Sequence, residues 1–195
     1  MIVDDEPVRA TTHRWLTRLV VGLNLCPFAS APLREETVRI AVSDAREPQT
    51  LMADLLEEIL RLHGTDLGAI STTLLVTPHT LQTFDDFNAF LGVAEDSLRA
   101  LDLDGELQLA SFHPDYRFAG SAPGDPGNYT NRSPYPILHL LREAEVSRAV
   151  THHPDPARIY RDNIRRLEAL GVEHLGAMLA DCHHPPDDNP DPGLE

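Results

Sequence analysis

Three short runs rich in β-branched or alternating apolar residues punctuate this chain: Thr37 to Ser43 (TVRIAVS), Ile70 to Thr77 (ISTTLLVT) and Glu106 to Phe112 (ELQLASF). Long stretches of helical periodicity separate them, and that alternation constrains the fold more than any other feature. In the first run Val38, Ile40 and Val42 occupy every second position, the spacing of a half-buried strand. Pro48 then opens a segment in which Leu51, Leu55, Leu56, Ile59, Leu60 and Leu62 form an apolar stripe, and Gly64 closes it. After the second run, Thr83 with Asp86 three residues on forms a capping box. The helix it starts buries Phe84, Phe87, Phe90, Leu91, Ala94, Leu98 and Leu101. Strand–helix–strand–helix–strand is the α/β signature, and right-handed crossovers would lay the three strands parallel.

The flanks add helices. Trp15, Leu16, Leu19, Val20 and Leu23 predict one from Pro7 to about Leu25, stopped by Pro27. Ser133 with Pro134 and Pro136 suits another helix start, continued by Ile137, Leu138, Leu140 and Leu141. Val146 to Val150 reads as a short fourth strand or the end of that helix. Asp155-Pro156 caps a helix that ends at Gly171, and a last helix spans Val172 to Ala180. The expectation is one α/β domain over residues 1–182, with a small three- or four-stranded, largely parallel sheet flanked by about six helices. The remainder, HHPPDDNPDPGLE over residues 183–195, has the composition of a disordered acidic tail.

Charge and cysteine usage exclude several classes of function. The net charge is −15 with histidine neutral. Such a surface repels phosphate backbones and anionic lipid, so no nucleic-acid or membrane partner is expected. Arg165-Arg166 sit beside Asp162 and Glu168 and read as a solvated helix face. No apolar run reaches membrane-spanning length, and MIVDDEPVRATTHRW is acidic where a secretory signal would be cationic. Two cysteines, Cys26 and Cys182, make no disulfide framework and fit a cytoplasmic setting. All 16 basic residues other than histidine are arginine. Without lysine there is no Schiff-base lysine and no Walker-type phosphate lysine, which disfavours pyridoxal phosphate and P-loop nucleotides as cofactors.

The connection from Ser111 to Pro136, SFHPDYRFAGSAPGDPGNYTNRSPYP, is far longer than the usual loop of about 4–6 residues. Its aromatic residues, Tyr116, Phe118, Tyr129 and Tyr135, mark it as folded down and used rather than as a linker. It leaves the carboxyl end of the third strand, where open α/β sheets place ligands. His113 and Asp115 are therefore candidate catalytic residues, the histidine as general base or metal ligand. Tyr116, Arg117, Asn128, Tyr129, Asn131 and Arg132 are candidate substrate-binding residues, with the arginines suited to a small anionic molecule.

Cys26, in GLNLCPFA after the first helix, is a further catalytic candidate, although a free cysteine packs equally well as a small hydrophobe. His79, after the second strand, would approach His113 if those strands were neighbours. His79 and His113, joined by Cys26 or His139, would then make a divalent-metal site. None of these residues has the spacing of a recognised zinc motif, and the doublets His152-His153 and His183-His184 are weak signals. GxGxxG, GxSxG and HExxH patterns are absent.

Four strings, VVGLNLCPFA, TTLLVTPH, SFHPDYRFAG and PGNYTNRSPYPILHLLRE, resemble those of a bacterial family defined only as domain of unknown function 1415. The resemblance covers most of the chain, implies a bacterial intracellular domain, and carries no activity, cofactor or site residues with it. The functional expectation is thus a small cytosolic enzyme with a polar, anion-accepting pocket under the long loop. A metal-binding protein is the first alternative. A non-catalytic interaction module, exposing Phe118, Tyr129 and Tyr135 as an apolar patch, is the second.

Overall fold

From Glu6 the chain coils into α1 (Glu6–Trp15), which widens into a π-helical stretch, Leu16–Val21, before Gly22. A short α2 (Ser30–Arg34) precedes β1 (Val38–Val42). Then α3 (Pro48–Gly64) leads to β2 (Thr72–Val76), and α4 (Phe84–Ala100) leads to β3 (Leu107–Phe112). After the long connection come β4 (Ile137–Arg142), α5 (Glu143–His152) and α6 (Pro156–Ala180). The structure is a computed structural model and describes residues 5–152 and 155–184. His153 and the part of the expected acidic tail from residue 185 on lie outside the described residues.

The local signals act as chemistry requires. Thr83 Oγ1 accepts a hydrogen bond from the Asp86 N–H at 3.2 Å, so the capping box starts α4. Asp155 does the same for Arg158 N–H at the start of α6. Gly171 interrupts α6 with φ 75° and ψ 156°, a conformation essentially restricted to glycine, so two helices meet there as expected.

Two expectations are corrected. Residues 137–141 are not a helix but the core of β4. ILHLL is apolar at nearly every position, which helical periodicity cannot distinguish from a strand buried on both faces. Pro134 and Pro136 bias Ser133 and Tyr135 toward extended backbone, which feeds a strand rather than a helix. The sheet is also mixed rather than largely parallel. Its order is β1-β2-β4-β3; only β1 and β2 pair in parallel, and β4 runs antiparallel to both β2 and β3. The first three strands do point the same way, but β4 is inserted between β2 and β3, so their carboxyl ends share one edge without being adjacent.

Each sheet face has its own core. Leu75, Leu138, Leu140 and Leu107 pack on Leu51, Leu55, Ile59 and Leu62 of α3 and on Phe87, Phe90, Ala94 and Leu98 of α4. The opposite face presents Val38, Ile40, Val42, Leu74, Val76, Ile137 and Phe112 to Trp15, Leu16, Leu19 and Val20. A third cluster joins Leu25, Tyr129, Leu167 and Leu175, tying α6 to the long connection. Arg39 lies against α3 in a two-pronged ion pair with the buried Glu58, at 2.7 and 2.8 Å. Among the described residues no helix is long and apolar enough to cross a membrane.

Candidate functional site

The long connection joins β3 to β4 as an oversized hairpin loop, and most of its polar side chains serve the loop itself. His113 is 0 % exposed. Its Nδ1 accepts from the Asp115 N–H at 3.0 Å, which leaves the ring proton on Nε2 to be donated to Leu81 O at 3.1 Å. The ring packs between Phe84 and Phe87, with centroids at 5.5 and 5.1 Å. Burial lowers its pKa, so the imidazole is neutral. Both nitrogens are occupied by backbone, and the group joins the loop to the β2–α4 connection.

Asn128, also 0 % exposed, is the centre of the loop. Its Oδ1 accepts from Phe118 N–H at 3.1 Å and from Ser121 Oγ at 2.7 Å, while Nδ2 donates to Ala122 O at 2.9 Å. Asn131 Nδ2 donates to Ser111 O at 3.0 Å, and its carbonyl accepts from His113 N–H. Tyr129 is buried against α6, with its hydroxyl 3.5 Å from Val172 O. Phe118 stacks edge-on to Tyr116, and Tyr135 lies against His183. Of the three residues that an interaction module would expose, Tyr129 is buried, while Phe118 and Tyr135 are half-buried against neighbouring rings.

Three of the expected ligand-facing residues remain accessible together. Asp115, Arg117 and Arg132 line a hollow of about 240 Å³ with Thr83, Phe84 and Asp85 at the start of α4. Arg132 is half committed: its Nε and NH2 donate to Tyr116 O and Pro123 O, and its guanidinium lies 4.6 Å from the Tyr129 ring centre. Two arginines there are offset by two aspartates. His79 is exposed beyond β2, whereas His113 is sealed under the loop with both ring nitrogens bonded to backbone. Among the described residues, no group of three or more histidines, cysteines, aspartates or glutamates is arranged to hold a metal ion.

Cys26 and His139 line a different opening. One end of the sheet face that carries Val38, Thr72, Leu74, His139 and Leu141 is only partly covered: Leu74 is buried, while the other four are half-buried and line an opening beside Leu16. The segment from Cys26 to Pro32 walls one side of the opening and Val146 and Ala149 of α5 the other, giving a cleft of about 690 Å³. Arg142 closes one end by donating from NH2 to Leu62 O, Thr65 O and Ile70 O at 2.7, 2.6 and 3.1 Å, where it also meets the carbonyl end of α3. His139 Nε2 is 2.7 Å from Thr72 Oγ1, which in turn lies 2.6 Å from Leu140 O.

Electrostatics decide what this pair can do. Burial pushes the His139 imidazole down to about 4, and the wall around Cys26 raises its thiol above the usual value although the residue is exposed at the rim. Burial disfavours the charged form of each, which works against a thiolate–imidazolium pair of the kind that activates a cysteine nucleophile. The cleft can solvate an apolar molecule and offer it a few hydrogen bonds. Thr72, Leu141, Val146 and Ala149 were not foreseen as site residues. The local signal for Thr72 and His139 was their register on adjacent strands, which assigning residues 137–141 to a helix conceals.

A second open hollow, between Asp125 and α6, is lined by Arg158, Arg161 and Arg165. Each of these arginines is paired, to Asp162 or Asp155, which makes this the solvated helix face anticipated from Arg165-Arg166.

A four-stranded mixed α/β domain with an open apolar cleft on one sheet face is the class that the fold and site define. The chain belongs to the family described as Protein of unknown function (DUF1415), whose model matches residues 7–177. No curated protein and no solved structure matches it.

Proposed function

We propose that this chain binds a small, mostly apolar molecule in the cleft between the Cys26–Pro32 segment and α5. The observation that carries the reading is an open, mostly apolar cleft over a stretch of sheet face that its helices cover only in part. Leaving that apolar surface in water is costly, at roughly 25 cal/mol per Å². The cleft's size lies within the usual range for small-molecule sites of about 300–1,000 Å³, and its composition, apolar walls with a few polar groups, is the usual one. With burial disfavouring the charged forms of His139 and Cys26, the cleft favours binding over nucleophilic chemistry.

The test is an amide-resolved NMR titration of the full chain with neutral apolar fragments. Shifts are expected to cluster at Val38, Thr72, Leu141 and Ala149. Ala149→Trp, which fills the mouth from a partly exposed helix position, should abolish them while leaving the remaining spectrum intact. Shifts confined to Arg117 and Arg132, or unchanged binding to the Trp variant, would overturn the assignment.

A second reading keeps the anion-accepting pocket under the long loop. It is supported by Arg117, which is exposed, beside Arg132 at the start of α4. Asp85 and Asp115 in the same hollow offset the two positive charges, and this makes it the weaker reading.

A further inference from the structure

The proton inventory at the floor of the cleft specifies the head group of its ligand; this rests on the cleft being the binding site. Thr72 has one hydroxyl proton and two neighbours, Leu140 O at 2.6 Å and His139 Nε2 at 2.7 Å. A carbonyl oxygen can only accept, and two oxygens at that separation repel unless a proton lies between them. The hydroxyl proton therefore goes to Leu140 O. The Thr72 oxygen is then an acceptor toward His139, and Nε2 must carry the imidazole's single proton. That leaves Nδ1 as a bare lone pair.

No described residue bonds to it, and it is not sealed in the core either, since the buried polar atoms without partners are Thr73 Oγ1, Arg142 Nε and Asn163 Oδ1. His139 lines the cleft beside Leu74 and Leu141. His139 thus offers a directed acceptor beside Leu74 and Leu141, in a cleft whose lining also includes Glu35, Glu145, Arg142 and Arg148.

We infer that the cleft takes an uncharged, mostly apolar molecule bearing one hydroxyl, an alkylphenol or aliphatic alcohol in chemical class, whose O–H donates to His139 Nδ1. A ketone or an ether of the same shape offers only acceptors and meets lone pair with lone pair. A carboxylate would face the same repulsion and lose its solvation in an apolar floor. The Thr72 bond holds the imidazole in the accepting tautomer, which makes Thr72 a positioning residue.

The experiment is calorimetric titration of the full chain with 4-hexylphenol, 4-hexylanisole and 4-hexylbenzoate. These three probes share one apolar body and differ in whether the head donates, accepts or is charged. The phenol should bind roughly tenfold more tightly than the anisole, the value of one well-made hydrogen bond in a dry site. His139→Phe, which keeps the ring and removes the acceptor, should reduce that ratio to about one while the anisole affinity holds. Equal binding of phenol and anisole to the wild type, or tighter binding of the benzoate, overturns the hydroxyl assignment and leaves the cleft reading standing. Failure of all three to bind overturns the cleft itself. Long-range ¹H–¹⁵N NMR of the wild-type histidine ring reads the tautomer without any variant. The proton on Nε2 supports the inference, and the proton on Nδ1 overturns it.

Discussion

His113 illustrates how a residue with the markings of a catalyst serves as a structural pin. A histidine at the end of a strand, followed by an aspartate two residues on, has the position of a general base. Here Asp115 contributes its backbone N–H to the ring, and Leu81 accepts the other proton. Leu81 has φ 59°, an uncommon conformation for a branched residue, and its carbonyl is held by the same imidazole. His113→Ala would leave the Asp115 N–H and the buried Leu81 carbonyl without this partner and open a void between Phe84 and Phe87. The expected cost is about 3 kcal/mol of unfolding free energy, read from urea denaturation. An unchanged midpoint accompanied by lost ligand binding would instead return His113 to the list of chemical groups. Asn128 makes the same point: three hydrogen bonds to its own loop account for an asparagine that looked available for a substrate.

At the scale of elements, the break in α6 gives a direct test. Gly171 has open space around its missing Cβ, so the objection to a side chain there is conformational alone. Gly171→Ala should destabilise by about 1–3 kcal/mol in thermal or urea unfolding, and a neutral result would mean the two helical halves can realign without it. This break was legible in the sequence, as were the capped start of α4, the proline start of α3 and the first three strands, because each is set by residues within a turn of one another. β4 was not. Its run of apolar side chains is used up by two buried faces, so it shows neither of the periods that distinguish a helix from a half-buried strand. The long connection was legible as a folded segment from its aromatics, but His113, Asn128 and Asn131 turn to its own backbone, while Asp115 and Arg117 stay exposed. The cleft was illegible for a different reason: Cys26, Val38, Thr72, His139 and Ala149 come from five separate stretches, and none carries a motif that names the others.

For the whole molecule, acid should be destabilising through groups that are buried neutral. The folded-state pKa values of His113 and His139 both lie below the ordinary histidine value, the latter at about 4. In the unfolded chain these rings take up protons near pH 6.5, so the unfolded state binds more protons as the pH falls below that value. Stability should decline from about pH 6.5 toward pH 4. His139 alone contributes up to about 3 kcal/mol before its own folded-state protonation levels the curve. Carboxylate protonation also relieves the repulsion of a chain with net charge −15, an effect acting in the opposite direction. Comparing wild type with His139→Phe at pH 7 and pH 5 separates the two, because the charge effect is common to both proteins. Parallel pH profiles for the pair would refute the assignment to His139.

The insertion of β4 between β2 and β3 carries an order of events within it. As a nascent chain emerges, β1, α3 and β2 can close a parallel unit among themselves, but β3 has no neighbour to hydrogen-bond until residues 137–142 arrive. Until then β2 presents an open edge, and β3 remains an unpaired apolar strand. Pairing β3 with β4 requires closing the loop over residues 113–136, whose internal hydrogen bonds hold Phe112 and Ile137 in register in the folded chain. Synthesis halted before Ile137 would yield two of the four strands paired and a third exposed to any passing edge.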